Sequence, residues 1–432
     1  MSKQNILTII ISLIPLSYIL GNFVLNLNIV LTIIAGIYLY YQGIRIRFIL
    51  LDKLIIIFFL YIIFTSSWNT IESYYFGNIK DYDFSIINKS ILFLRYLVFY
   101  FALRLIIENK LINYKILFYS FGIFSLFISI DIIIQFFNGK DLFGLTSPYS
   151  SKTTGPFQTE AIAGGFIQKF SFFLFFGFML LIPIKNQKIK ILLLTVLFFI
   201  TILSIIFSGN RMSLVLFSLG IFLVFIGNKT LKKYIAHILI STILISIITV
   251  NSNEKIKSYY YSFYSNSKDI FSVVSYRILG FEKDILYSSK HPYLHEFESG
   301  ISTWKLNKYI GGGLKSFRYN CPKRKLVSIN ERTTCNMHPH NYYLEILTDL
   351  GIVGFILLIP ILILSIKKSY NLIRNEKYKY ILSPFLYIYL VEIFPIRASG
   401  SFFTTNNAII IFFLLATIVA LCSRAEKDTL SD

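Results

Sequence analysis

Residues 342–366 read YYLEILTDLGIVGFILLIPILILSI, and the last sixteen of them carry no charged side chain. A helix of about 20 mostly apolar residues crosses the roughly 30 Å hydrocarbon core of a membrane. This stretch therefore predicts a membrane-spanning helix, with lipid rather than a protein core as its main solvent.

Apolar runs of this kind follow one another from Ile6 to Cys422. Hydrophobic residues make up 55% of the 432-residue chain and charged residues 15%, and the mean hydropathy is +0.65. A soluble core could not bury so much apolar surface, which excludes an ordinary soluble enzyme. We predict an all-α, polytopic membrane protein with about twelve transmembrane helices. The predicted spans are 6–20, 24–41, 48–66, 88–107, 113–137, 161–184, 190–207, 212–227, 234–250, 342–366, 379–396 and 405–422.

The basic side chains predict how these spans are oriented. Lysines and arginines cluster in alternate short connections, for example Arg45 and Arg47 in one and Lys367 and Lys368 in another. Because cytoplasmic loops are enriched in basic residues, both termini are predicted to be cytoplasmic. The net charge of +20 is spread among the apolar runs and forms no basic domain, so we predict no nucleic-acid partner.

One long polar connection divides the chain into three regions. We predict about nine transmembrane helices in residues 1–250, a large outward-facing loop with short helices in 251–341, and about three helices with a short cytoplasmic tail in 342–432. The loop contains Cys321 and Cys335. In an oxidising compartment a disulfide between them would hold the strip of chain just before His338.

Arg211 is the first candidate for chemistry, in the turn Ser208-Gly209-Asn210-Arg211 between two predicted spans. A guanidinium group offers a planar set of donors that suits phosphate oxygens. The alternative is an arginine that extends to a lipid headgroup, as is common at span ends.

His338 and His340 stand where the large loop re-enters the membrane. A neutral imidazole can accept a proton from an attacking hydroxyl group, and nearby arginines would keep it neutral by lowering its pKa. A His-x-His pair also suits a metal, but no third ligand stands near it in the sequence. We therefore predict no metal site.

Further charged residues extend the candidate site. Arg277, Lys315 and Arg318 would form, together with Arg211, a funnel for an anionic substrate at the outward face. For Lys315 the alternative is a solvated loop surface. Glu160 lies just before a predicted span.

Two more charges, Asp131 and Lys169, fall inside predicted spans. Because a charge in a membrane is costly, each is expected to be paired or to line a cavity. The simplest arrangement is that they pair with each other.

The run His338-Pro339-His340-Asn341, then nine residues, then Gly351-Ile352-Val353-Gly354, resembles the signature of the O-antigen ligase and polymerase superfamily of bacterial envelopes. The glycine-rich approach Gly311–Phe317 and the turn Ser208–Arg211 are similar to further family features. The resemblance covers most of the chain by topology and a few short stretches by motif.

This resemblance implies a membrane glycosyltransferase that uses a polyprenyl-diphosphate-linked glycan as donor. In such an enzyme Arg211 would bind the diphosphate and His340 would orient or deprotonate the acceptor hydroxyl. Arg277 is our choice for the second phosphate, with Arg318 as the alternative. The further substrate-binding candidates are His338, Asn341, Lys315 and Glu160. No cofactor is implied, and direct displacement would invert the anomeric centre.

The resemblance also implies a place in the bacterial inner membrane, with the active face in the periplasm. Our first hypothesis is a ligase that moves a finished glycan to a sugar of lipid A-core. The alternatives with the same donor are a polymerase, whose acceptor is a growing glycan, and an enzyme that glycosylates proteins. A flippase or transporter of the lipid-linked glycan is the alternative of another class, and it predicts charges that line a path through the spans.

Overall fold

In the computed structural model, every regular element of the described residues is a helix. The structure describes residues 2–431 except 77–83, 182–185, 228–239, 241–242, 245–246, 255, 259, 266, 269–291, 325–334 and 398–399.

The helices fall into three groups along the chain. The first seven are α1 (Lys3–Ser12), α2 (Ile14–Ile19), α3 (Asn22–Tyr41), α4 (Leu50–Phe76), α5 (Ser85–Phe93), α6 (Arg95–Glu108) and α7 (Tyr114–Asn138). The next are α8 (Ala163–Leu181), α9 (Gln187–Phe207) and α10 (Arg211–Gly227), followed by the short helices α11 (Pro292–Trp304) and α12 (Phe317–Asn320). The last are α13 (Tyr342–Leu372), α14 (Glu376–Glu392) and α15 (Thr405–Ser431).

Asparagine side chains cap the starts of α7, α9, α13 and α14. Asn113, Asn186, Asn341 and Asn375 accept hydrogen bonds from backbone N–H groups of the first turn. These N–H groups have no partner within the helix, so the cap stabilises its beginning. The starts of these helices are therefore determined locally.

Within the described residues, seven helices are long and apolar enough to cross a membrane. They are Asn22–Tyr41, Leu50–Tyr74, Ser85–Glu108, Tyr114–Asn138, Lys188–Phe207, Tyr342–Leu372 and Thr405–Asp428. Three shorter apolar stretches, Lys3–Ile19, Ala163–Met179 and Arg211–Gly227, overlap further predicted spans. Most of the predicted span 234–250 lies outside the described residues. The all-helical fold is confirmed, while the total of about twelve spans and the division into three regions stay predictions.

Large apolar side chains on the outside of the bundle agree with a membrane environment. Phe23, Leu60 and Ile123 are 81%, 57% and 61% exposed. Exposed apolar surface on this scale is unfavourable in water and favourable in lipid.

Helix α15 is the central helix of the bundle, and 94% of its most apolar 18-residue stretch is buried. It packs against α6, α14, α13 and α3. Its first residue, Thr405, lies at the end of the bundle that carries a polar cavity, and its last turns reach the opposite end. The helix therefore connects the two ends of the molecule.

A buried ion network lies at the opposite end. Arg104 contacts the carboxylates of Asp52 and Glu108, and all three side chains are fully buried. Tyr100 donates to Asp52 at 2.8 Å, and Lys427 of α15 lies 2.6 Å from Glu108. These charges lie between α4, α6 and α15 and compensate one another.

The predicted pairing of Asp131 with Lys169 is wrong. A carboxylate oxygen of Asp131 accepts the backbone N–H of Leu142 at 2.8 Å. The amino group of Lys169 instead lies 3.7 Å from a carboxylate oxygen of Glu392. Glu392, in α14, stands 223 residues after Lys169, so no local pattern indicates this pair.

Candidate active site

A polar cavity of about 680 Å³ lies where α8, α10 and α15 begin and where the chain enters α13. Five of the predicted site residues line it: Glu160, Arg211, Lys315, His338 and His340. These residues come from separate parts of the chain. The fold therefore brings the predicted arginine and both predicted histidines to one space.

Asn341 holds the histidine strip at the start of α13. Its side-chain oxygen accepts two backbone N–H groups of the first helical turn at 3.0 and 3.1 Å. Its amide nitrogen donates to the carbonyl oxygens of Pro395 and Arg397 at 2.8 and 3.0 Å. Because both ends of the amide are used and the side chain is buried, Asn341 fixes the backbone and does not line the cavity.

The disulfide that the sequence allows between Cys321 and Cys335 is present, with 5.6 Å between the two Cα atoms. Cys321 follows α12 directly, and Cys335 stands three residues before His338. The bond therefore attaches the approach to the histidines to the short helix of the preceding loop. Such a crosslink limits the positions that this strip can take.

The two histidine rings lie beside each other, with centroids 4.4 Å apart and planes at 54°. The backbone of His340 is left-handed, with φ of +52°. Burial, helped by the positive charges of His340, Arg318 and Lys315, lowers the pKa of His338 to about 4. His338 is therefore neutral at pH 7.

Glu296 of α11 faces His340, with 3.9 Å between its carboxylate oxygen and the imidazole Nε2. Asn336 donates to the same carboxylate oxygen at 3.0 Å. Burial raises the pKa of Glu296, although the charge of His340 works against this shift. A carboxylate at this position can orient the imidazole and stabilise it when it becomes charged.

Arg211 begins α10 directly after the tight turn at Gly209, where φ is +69°. A methyl group at Gly209 would overlap the backbone of Ser151, so the turn packs closely on the chain before α8. Lys152 lies in this segment and lines the same cavity as Arg211. Burial and the charge of Arg211 lower the pKa of Lys152. Two cations on one wall favour an anionic ligand.

The glycine triplet Gly311–Gly313 lies against a break in α13 at Gly351, where φ is +66° and ψ is −169°. Two N–H groups of the triplet donate to the carbonyl oxygens of Thr348 and Asp349 at 3.0 and 2.8 Å. The next turn places the N–H of Lys315 2.6 Å from a carboxylate oxygen of Asp349. The backbone of the preceding loop packs against α13 at Gly351, and this loop in turn positions Lys315.

The floor of the cavity contains a second ionic cluster. Lys169 of α8 and Arg397, which follows α14, lie 3.7 and 3.2 Å from the same carboxylate oxygen of Glu392. The amino group of Lys169 also donates to Asn407 at 2.8 Å. The guanidinium group of Arg397 lies 4.2 Å from the ring centroid of Tyr342. Both cations line the cavity.

The remaining predicted site residues lie in different positions relative to the cavity. Glu160 is exposed and lies at the cavity. Arg318 of α12 does not line it but contributes to the potential at His338. Arg277, our choice for the second phosphate, lies outside the described residues.

Three charged residues that line the cavity were not predicted from the sequence: Glu296, Lys152 and Arg397. Lys169 carried a signal, because an ionisable residue inside a span suggests a functional site, but its partner was predicted wrongly. Glu296 and Arg397 stand in stretches with no distinctive motif. Their importance appears only when the loop and the end of α14 are folded against the cavity.

The fold and the cavity define the class of this protein: a membrane-embedded helical protein with a cationic cavity at one end of its bundle. Residues 196–359 match the family model described as O-antigen ligase. This match supports the resemblance to the O-antigen ligase and polymerase superfamily that the spacing of His340, Asn341 and Gly351 indicates. No curated protein matches the chain. The family match supports a glycosyltransferase-type enzyme of ligase or polymerase activity with lipid-linked glycan and acceptor substrates.

Proposed function

We propose that this protein is an O-antigen ligase, which transfers a glycan from a polyprenyl diphosphate to a sugar hydroxyl of lipid A-core. The observation that carries the proposal is that Arg211, His338 and His340 line one cavity. Diphosphate binding and hydroxyl activation must occur within a few ångströms of each other in such a reaction. The cavity contains both a cation and a base.

In the proposed reaction the acceptor oxygen bonds to the anomeric carbon as the bond from that carbon to the diphosphate oxygen breaks. The acceptor proton passes to the imidazole of His340, and Glu296 stabilises the resulting imidazolium. The polyprenyl diphosphate leaves as an anion, and Arg211 offsets its charge. Attack from the face opposite the leaving group inverts the anomeric centre. These steps require no metal.

The second phosphate is assigned by resemblance to Arg277, with Arg318 as the alternative. Lys315, Glu160 and His338 line the cavity and are proposed to contact the glycan or acceptor. The buried Asn341 serves these contacts indirectly, because it fixes the backbone of His340.

We further propose that the chain lies in the bacterial inner membrane with the cavity facing the periplasm and both termini in the cytoplasm. The disulfide Cys321–Cys335 supports this orientation, because disulfides persist in the periplasm and are rare in the cytosol. The basic connections between predicted spans support the same orientation.

The proposal is tested by transfer in liposomes that contain the purified protein, polyprenyl-diphosphate glycan and lipid A-core, with EDTA present. Arg211→Ala and His340→Ala are each expected to lower the rate of transfer by about 100-fold or more, because each removes a group that acts in the transition state. The control is Arg374→Ala, an exposed arginine after α13 that should not change the rate.

The other possible results of this assay each identify a different function. If the donor only lengthens itself, the protein is a polymerase. If glycan appears on added protein instead of lipid A-core, it is a protein glycosyltransferase. If glycan crosses the bilayer without transfer, and His340→Ala does not matter, the enzyme proposal fails and transport replaces it.

A further inference from the structure

A groove of about 310 Å³ lies between α3 and α6 and shares no lining residue with the candidate active site. Within it Gly36 of α3 meets Ala102 of α6, and a methyl group on Gly36 would overlap the side chain and backbone of Ala102. Small residues let two helices approach closely in a membrane, and larger side chains beside them then form walls. The groove is therefore built into the packing of these two helices.

The groove is lined mainly by apolar side chains and opens to the surroundings of the bundle. Ile37 of α3 and Val98 of α6 line it and are 47% and 42% exposed. In a membrane such side chains face hydrocarbon rather than water. The volume reaches the lower end of the range of about 300–1,000 Å³ for ligand pockets, so the groove can hold a hydrocarbon chain.

Among the described residues that line the groove, only Arg45 is charged. It stands in the connection after α3, and its guanidinium carbon lies 3.8 Å from the ring centroid of Tyr40. Its Nη1 donates to the carbonyl oxygens of Tyr40 and Ile44. Within the described part of the chain its Nε and Nη2 make no hydrogen bond, so these donors remain for a ligand with phosphate oxygens.

Arg45 lies at the end of the bundle opposite the candidate active site. The carbonyl oxygen of Arg47, two residues further on, accepts from Arg104 of the buried ion network at 3.0 Å. The carboxylates of that network, Asp52 and Glu108, are fully buried and contact Arg104, whereas Arg45 is exposed. Basic pockets between membrane helices on the cytoplasmic side bind anionic lipid headgroups. The groove and its arginine form such a pocket.

We propose that this groove binds an anionic phospholipid, with one acyl chain between α3 and α6 and the phosphate group at Arg45. A free phosphate ion would use the guanidinium group but not the apolar walls, and a zwitterionic lipid would gain little from the positive charge. An anionic lipid uses both parts of the groove. Binding of this lipid requires a membrane around the chain and is independent of the proposed transfer reaction.

The test is native mass spectrometry of the full chain in detergent, titrated with phosphatidylglycerol and phosphatidylcholine that carry the same acyl chains. The native protein is expected to bind phosphatidylglycerol about fivefold more tightly, since one basic side chain near a membrane surface favours an anionic headgroup by this factor. Arg45→Gln should remove this preference and leave phosphatidylcholine binding unchanged. The matched control is Arg47→Gln, which removes an exposed arginine that does not line the groove and should keep the preference.

A second variant tests the place of the acyl chain. Val98→Trp puts a large ring into the groove, so it should weaken the binding of both lipids alike. The control is Val196→Trp, because Val196 of α9 is 45% exposed, close to Val98, and does not line the groove. It should leave both affinities as in the native protein.

Other results would overturn the assignment. Equal losses of phosphatidylglycerol binding in Arg45→Gln and Arg47→Gln would show diffuse attraction to a basic surface. A lower melting temperature of Arg45→Gln with an unchanged lipid preference would show that Arg45 only caps the end of α3. Unchanged lipid binding in Val98→Trp, or displacement of phosphatidylglycerol by inorganic phosphate, would show that the apolar groove is not the binding site.

Discussion

At the scale of single residues, two side chains of the cavity stand on left-handed backbone. His340 has φ of +52° and Lys315 has φ of +60°. Such conformations cost free energy for residues other than glycine and persist where the surrounding structure imposes them. Here hydrogen bonds made by the buried amide of Asn341 and by the carboxylate of Asp349 hold these backbone conformations. The strain lies where the proposed chemistry requires fixed side chains.

The lowered pKa of His338 predicts a pH dependence of stability. An unfolded histidine has a pKa of about 6.5, whereas that of His338 is about 4. Between these values the unfolded chain binds a proton that the native protein does not, so the free energy of unfolding falls as pH falls. The contribution of His338 to stability should therefore fall between pH 7 and pH 5, so the melting temperature of the native protein relative to that of His338→Gln should fall over this range.

The measurement is thermal unfolding of both proteins in detergent at several pH values. The positive groups around this histidine, His340, Arg318 and Lys315, stay unchanged in the variant. Parallel curves for the two proteins would contradict the prediction.

At the scale of the element, α13 explains the spacing of the family motif. Asn341 caps the helix, nine residues follow, and Gly351 then breaks it. The break lets the N–H groups of Ile352 and Val353 donate to the carbonyl oxygens of Lys308 and Tyr309 at 2.9 and 3.2 Å. The spacing thus joins the histidine strip to the loop that positions Lys315.

Gly351→Ala is expected to destabilise the protein and to reduce transfer. The backbone angles at Gly351 are almost exclusive to glycine and cost about 1–3 kcal/mol for other residues, and a methyl group would also overlap the carbonyl of Tyr309. The measurement is melting temperature together with transfer rate.

Gly43→Ala is the control, because Gly43 also has a positive φ of +84° but open space around it. It should show only the backbone cost and keep its transfer rate. Equal losses in the two variants would mean that the contact with the loop contributes nothing.

At the scale of the whole molecule, α15 joins two ends with different tasks. The cavity surrounds its start at Thr405, and the network of Asp52, Arg104 and Glu108 meets it at Lys427. The two points are 22 residues apart, or about 33 Å along a helix. In the network every buried charge has a partner, whereas the cavity has an excess of cations.

Asp52→Ala should therefore affect stability and not chemistry. It leaves Arg104 buried beside a single remaining carboxylate, and breaking a buried ion pair costs about 3–5 kcal/mol. The neighbouring Lys53 is exposed, so Lys53→Ala should change stability by less than about 0.5 kcal/mol. Unfolding in increasing denaturant measures the difference, and transfer per folded molecule should equal that of the native protein. A lower transfer rate in the folded fraction would show that the two ends are coupled.

The sequence predicted more of the fold than of the candidate site. The apolar runs predicted most helices because hydrophobicity over about 20 residues is a property of the local chain. Arg211 and the two histidines were found through short motifs, and the structure brings them to one cavity. Glu296 carried no such signal. The partner of Lys169 was predicted wrongly, since a charge in a span shows that a partner is needed but not which one.

By itself, the sequence determined the membrane class, the capped starts of the helices and the spacing from His340 to Gly351, because each depends on neighbouring residues. Only the tertiary structure decided that Glu296 faces His340 and that Lys169 and Arg397 share Glu392. These contacts join residues far apart in the chain. Their energies arise from burial and charge compensation, which exist only once the helices have packed.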